Sequence, residues 1–109
     1  MKYQICQFQK DQHIVDGNFT NLGVQGKFYD SIMEGKVSPS TFLAHYEIVG
    51  EIEANDLDEV FHIGNVGPES SIKRIKKMHS VSVGDVIRDE DGKCFIVQPA
   101  GFSRLGEVA

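Results

Sequence analysis

The chain has 109 residues, 40% hydrophobic and 25% charged, with a formal net charge of −5. That length holds one core and no second, and the composition is that of a soluble globular chain, which excludes wholesale disorder. The acidic balance argues against a general nucleic-acid binder, and no apolar run approaches the roughly 20 residues of a membrane span. The first residues, MKYQICQFQKDQ, carry neither an apolar signal core nor a small-residue cleavage site, so a cytoplasmic location and no membrane partner are expected. Asn18-Phe19-Thr20 matches a glycosylation sequon, which is silent without secretion.

Residues 2–9 are rich in aromatic and β-branched side chains and read as a strand. Tyr3 and Ile5 share one face while Cys6 and Phe8 fall on the other, which implies cover on both sides or a bulge. Residues 11–26, with Asp16-Gly17, Asn21, Gly23 and Gly26, read as turns around one short strand near His13–Val15. Phe28 and Ile32, like Tyr29 and Met33, stand four apart, so a short helix is predicted over 27–34 with Gly35 as its stop. A linker over 36–41 leads to an alternating segment, 42–54, expected to be a half-buried strand with an acidic outer side and a bulge at Gly50.

Asn55 or Asp56 can cap a helix that begins at Leu57 and sets Leu57, Val60 and Phe61 on one side. Gly64, Gly67 and Pro68 are expected to break it. Residues 69–79 stay open between a helix with Ile72 and Ile75 inward and an exposed loop. Strands over 83–89 and 93–98 follow, joined by the Asp89-Glu90-Asp91-Gly92 turn. Pro99 and Gly101 end the second, and Phe102–Leu105 begins a last one. The expected fold is a single α+β domain over 1–109: an antiparallel sheet of about four to six strands with one to three short helices. The first strand, the 42–54 strand and the 83–98 hairpin form its body.

Charge is unevenly placed. Glu47, Glu51, Glu53, Asp56, Asp58 and Glu59 form an acidic run without a cation, and Lys73, Arg74, Lys76 and Lys77 form a basic segment without an acid. These two are the candidate binding surfaces. The acids also have structural uses, as the wet face of a strand and as helix caps. The lysines and arginine lack the interleaved aromatics and glycine-rich loop of a phosphate grip. Ser70-Ser71-Ile72-Lys73 matches a serine–lysine acylation pattern by chance, since the large scaffold and companion motifs are missing.

His13, His45, His62 and His79 are scattered. Cys6 and Cys94 read as buried thiols in a reducing compartment. No C-x-x-C or H-x-x-x-H spacing occurs, so no metal and no cofactor are expected. In MHSVSVGDVIRDEDGKCFIVQPAGF, residues 78–102, Ser80 and Ser82 can bond to the backbone. Gly84 permits a tight turn, and Asp85 can accept from amides within it. The stretch reads as a fold signature rather than an active loop.

These residues also carry a resemblance. H-S-V-S-V-G-D-V-I, then D-G-K-C-F-I-V, then G-F-S-R-L, with Gly101 and Phe102 at the final step, is similar to a pattern in small YodL-like proteins of bacteria, phages and plasmids. Tyr46, Ile48, Gly50 and Ile52 match the strand that precedes it in those proteins, and Leu57, Val60, Phe61 and Asn65 match the helix. The similarity covers residues 46–105 and departs at the basic stretch 69–78. It implies a small accessory protein of mobile-element origin and brings no reaction with it. Val83-Gly84-Asp85 and the strand after it also resemble, more weakly, PUA-like and ASCH-type barrels that bind RNA or modified nucleotides.

The functional expectation is a non-enzymatic accessory protein that binds another macromolecule, a protein first, with a homo-oligomer as a further form. The alternatives are a PUA-like nucleic-acid or nucleotide-binding module using the basic segment, and an acidic DNA mimic or anti-defence protein using the acidic run. A small enzyme pairing a histidine with Asp85 or a cysteine is a further alternative. A concave pocket holding two of those groups within hydrogen-bond reach would mark it.

Overall fold

The computed structural model describes residues 1–107, and side chains through residue 105. In chain order it contains β1 (Lys2–Phe8), a 3-10 turn over Lys10–His13, and a small hairpin of β2 (Ile14–Val15) and β3 (Asn18–Phe19). Helices α1 (Leu22–Glu34) and α2 (Pro39–His45) lead into β4 (Tyr46–Glu53). Helix α3 (Leu57–Val66), a 3-10 turn over Glu69–Ser71 and β5 (Ile72–Arg74) follow. The chain then forms β6 (Val86–Arg88), β7 (Lys93–Val97) and β8 (Phe102–Glu107). Six strands make one antiparallel sheet in the order β5-β4-β1-β6-β7-β8, and β2 pairs with β3 alone. The α+β class, the strand range and the helix range agree with expectation.

The sheet is covered on both faces, as the side-chain pattern of β1 implied. Tyr3 and Ile5 join Val49, Ile52 and Ile87 under Val60 and Ile63 of α3. Cys6 and Phe8 join Tyr46, Val86 and Ile96 under Val24 of α1 and Phe42 of α2. The change of face coincides with a bulge: Ile5 pairs with Gly50 and Cys6 with Ile48, so Val49 is the extra residue on β4. One extra residue on the partner strand lets both sets of apolar side chains find cover. Each fully buried Ile or Val contributes about 1.5–3 kcal/mol, which makes β1 the center of the core.

Local chemistry explains where the boundaries differ from expectation. Helix α1 starts at Leu22, not at residue 27, because the Asn21 side chain accepts from the amides of Gly23 (2.8 Å) and Val24 (3.2 Å). Gly23 and Gly26, read as turn residues, lie inside the helix at about 1 kcal/mol each, offset by that cap and by the packing of Val24. Gly35 does end it, with φ 65° and its amide on the Ser31 carbonyl at 2.9 Å.

The 36–41 linker and the start of the 42–54 strand are also corrected. Ser38 caps the Thr41 amide at 3.2 Å and Pro39 opens α2, so Phe42–His45 is helical and the strand begins at Tyr46. Gly64 does not break α3. It lies within the helix, against buried Val81, where a methyl group would meet the valine Cγ2 at 2.3 Å. Phe61 points outward, and Val60 and Ile63 take the core side. Residues 69–79 are not a helix: a 3-10 turn and β5 occupy 69–74. Residues 83–85 belong to a turn ahead of β6 rather than to the strand.

Candidate functional site

The turn Ser82–Asp85 is held from several sides. The Asp85 amide donates to the Ser82 carbonyl at 3.0 Å, and Gly84 and Asp85 exchange backbone bonds with Val97 of β7 at 2.8 and 2.9 Å. The Tyr46 hydroxyl, brought in by the first residue of β4, donates to the Gly84 carbonyl. Burial of this phenol raises its pKa and keeps it a donor. Gly84 has φ +91° and lies directly on the backbone of α1 at Ser31.

Beneath the turn, Gln7 of β1 organizes a buried polar network. Its Nε2 donates to the His79 carbonyl at 3.0 Å and to Asp85 Oδ2 at 3.0 Å, and its Oε1 accepts from the His79 amide at 3.2 Å. Asp85 Oδ2 also accepts from the Ser82 amide at 2.9 Å. One glutamine thus ties the irregular segment before β6 to the middle of the sheet.

The proton inventory then fixes the imidazole. His79 Nδ1 lies 2.7 Å from the Ser80 carbonyl, which can only accept. Both Gln7 N–H groups are used, so its 3.2 Å approach to Nδ1 is a contact and the ring proton belongs on Nδ1. The neutral ring therefore carries its lone pair on Nε2, with the ring exposed.

Asp85 is 4% exposed. Burial pushes its carboxyl up to about 6, against the opposing pull of His79, the Ser82 amide and hydroxyl, and Gln7. The folded chain therefore holds this proton more tightly than the unfolded chain, whose value is near 3.8. The resulting stability is complete below that value and is lost as pH rises through the folded value, a swing of about 3 kcal/mol. Asp85→Asn removes the ionization and leaves an oxygen to accept from Gln7 and Ser82. Between about pH 4 and about pH 7, wild type should lose about 2–3 kcal/mol relative to the variant in urea unfolding. A difference that stays flat across that range would contradict the assignment.

This network borders a cavity of about 480 Å³ between the end of β1, the Lys10–His13 turn, α1 and the loop before β6. Phe8, Phe28, Ile32, Met78 and Val83 give it apolar walls, and Lys10, Lys77 and His79 line it with cationic or basic groups. His79 and Asp85 share the cavity but stand 3.9 Å apart, outside hydrogen-bond reach, each bonded elsewhere. Among the described residues no group of three or more His, Cys, Asp or Glu could hold a metal ion.

The two charged segments meet each other. Lys76 pairs with Glu47 at 2.7 Å, and Lys73 sits opposite Glu51 in the β4–β5 register. Arg74 grips Glu69 through Nε at 2.6 Å and Nη2 at 3.2 Å. Glu53 pairs with the terminal amine at 2.8 Å, Asp56 caps the Glu59 amide at 2.8 Å, and Glu59 accepts from Asn55 at 3.2 Å. Asp58 lies in the first turn of α3. Such exposed pairs contribute little stability, roughly 0–1 kcal/mol, but they cancel much of the local field. Lys77 is the member of the basic segment that lines the cavity.

The remaining expected residues are structural neighbors of the network. Ser82 supplies its amide to Asp85, and Ser80 its carbonyl to His79. Gly101, at φ +81°, closes the β7–β8 turn with its carbonyl on the Gln98 amide at 3.0 Å, and Phe102 packs on the α3-side core. Cys6 and Cys94 are both buried thiols on one face, and burial pushes Cys6 up to about 12, which makes it a poor nucleophile. Gln7 escaped the sequence reading, since nothing in KYQICQFQ separates it from its neighboring glutamines.

Fold and site together define an α+β domain whose antiparallel sheet is covered on both faces, with a side cavity where the exposed His79 ring meets a buried Gln7–Asp85 pair. Comparison with protein-family models, with curated proteins and with solved structures finds no match for the chain.

Proposed function

We propose that this chain is a small non-enzymatic accessory protein that acts by binding another protein. The observation that carries the reading is the outer face of α1. Leu22, Tyr29 and Met33 recur at helical spacing on one side and are 79%, 48% and 69% exposed, with Ile32 beside them. Val24 and Ser31, on the opposite side, are buried. The stripe spans about 16 Å of the helix, with Gln25 and Gly26 between Leu22 and the Tyr29–Met33 patch, and exposed apolar surface of that kind marks interaction sites. The likeness of residues 46–105 to YodL-like proteins of mobile elements favors the same role, in the cytoplasm. The nucleic-acid and DNA-mimic alternatives lose support because Lys76 pairs with Glu47, Lys73 faces Glu51 and Arg74 pairs with Glu69, which weakens the field of both segments.

The test compares tagged wild type with Leu22→Glu/Met33→Glu in extracts of host cells. One stoichiometric protein should copurify with wild type and fall by about tenfold or more with the variant, whose thermal unfolding should stay close to wild type because both positions are exposed. Recovery of nucleic acid at low salt in place of protein, equal recovery by both chains, or a wild-type homodimer that the variant dissociates would overturn the reading. Turnover by the pure chain in a screen of nucleotide, ester and peptide substrates would overturn its non-enzymatic part.

A further inference from the structure

We infer that the cavity beside the Val83-Gly84-Asp85 turn binds a small molecule with one acid group, a carboxylate or a phosphate monoester, on an apolar body. The inference rests on the cavity, which shares only Ile32 with the outer face of α1. The volume, about 480 Å³, lies within the usual range for small-ligand sites. One part of the wall is apolar, with two phenylalanines that offer ring faces or edges to a flat body.

The polar part is cationic where it is unspent. Among the described residues neither Lys10 nor Lys77 forms an ion pair, although Arg74 and Lys76 close by in sequence do. Lys10 is also positioned: its ammonium lies 5.3 Å from the center of the Phe28 ring, which holds a cation at the cavity wall. His79 adds an imidazole whose Nδ1 is committed to Ser80, so Nε2 is the atom open to a ligand.

Two acids also face this space. Asp85 is 4% exposed and directs its Oδ2 to Gln7 and Ser82, and Asp11 stands on the exposed Lys10–His13 turn, so the lysines are the groups that can turn to an acid ligand. An acid group between Lys10 and Lys77 would gain charge-assisted hydrogen bonds, with His79 Nε2 left as an acceptor for a ligand O–H or N–H, while the body covers Phe28, Ile32 and Met78.

Amide NMR titrations with 2-naphthyl phosphate, 2-naphthoate and neutral 2-naphthol test this on the full chain. The phosphate, the carboxylate or both should bind saturably, at least about tenfold tighter than the naphthol, shifting residues 9–11, 77–79 and 82–84. Which of the two acids binds tighter identifies the headgroup. Lys10→Gln/Lys77→Gln should weaken the acid by about tenfold or more and leave the naphthol unchanged. The single Lys77→Gln should show a smaller loss if the double variant loses its folded spectrum. Leu22→Glu/Met33→Glu should leave both affinities intact, which separates this result from any failure of the protein-binding reading. Equal affinity for acid and naphthol, shifts centered instead on a separate cavity of about 560 Å³ bordered by Lys36, Ser103 and Arg104, or no saturation by either acid would overturn the inference.

Discussion

Gly84→Ala should destabilize the chain by about 4 kcal/mol or more, a large share of the roughly 5–15 kcal/mol that holds a domain of this size folded. Two costs add. At φ +91° an L-residue is strained by about 1–2 kcal/mol. The larger cost is steric, because the new methyl group would lie 2.4 Å from the Ser31 carbonyl oxygen and 2.6 Å from its carbon. Those are backbone atoms of α1, so no side chain can swing aside, and either the helix or the turn must move. Moving the turn pulls on the Tyr46–Gly84 bond and on the two bonds to Val97.

Gly84→Asn separates the two costs. Asparagine tolerates positive φ better than alanine does, yet it carries the same Cβ. It should therefore be nearly as damaging. Urea unfolding of both variants gives the answer. Recovery of most of the loss by asparagine would mean that strain, not contact with α1, demands the glycine. An alanine variant within about 1 kcal/mol of wild type would contradict the close approach itself.

Gln7→Leu should cost about 2–4 kcal/mol although it nearly preserves volume and adds apolar surface to a core strand. Leucine leaves the His79 amide, the His79 carbonyl and the Asp85 carboxylate each short of a partner. The charge is the costliest of the three, so the loss should be greatest near neutral pH and should shrink as Asp85 protonates. On an Asp85→Asn background the same substitution should cost less, and a double-mutant cycle measures the difference. Strict additivity of the two changes would dissolve the network as a unit. Hydrogen exchange should show the segment 75–85 opening more readily in Gln7→Leu than in wild type, since this side chain is its tie to β1.

Much of the fold was legible because it rests on local chemistry. Aromatic and β-branched side chains marked β1, the Asp89–Gly92 turn marked the β6–β7 hairpin, and alternation marked the later part of β4. Asn55 or Asp56 announced α3, and Gly35 announced the end of α1. The opposite facing of Tyr3 and Ile5 against Cys6 and Phe8 implied either double cover or a bulge in β1; both faces are covered, and the extra residue is Val49 on β4. Two helices were less readable for identifiable reasons. In α1 the Asn21 cap precedes two glycines whose low helix propensity is overridden by packing. In α2 the pair Phe42 and Tyr46 satisfies a two-residue and a four-residue period alike, and the Ser38-Pro39 start decided the matter.

The candidate site was much less legible. Gln7, Ser31, Tyr46 and His79 meet at the Gly84-Asp85 turn from three secondary-structure elements and a loop, and no spacing in the chain records that meeting. By itself the sequence determined the α+β class, the start of α3, the stop at Gly35, the Asp89–Gly92 turn and the tight glycine turn at 84, because each follows from side chains and backbone within a few residues. Only the tertiary structure decided which polar groups are buried and which charges remain unspent. Pairing β5 with β4 sets Lys73 opposite Glu51, while pairing β1 with both β4 and β6 brings Gln7 under Asp85. Hydrogen bonds and fields depend on distance in space, and the sheet order alone sets that distance.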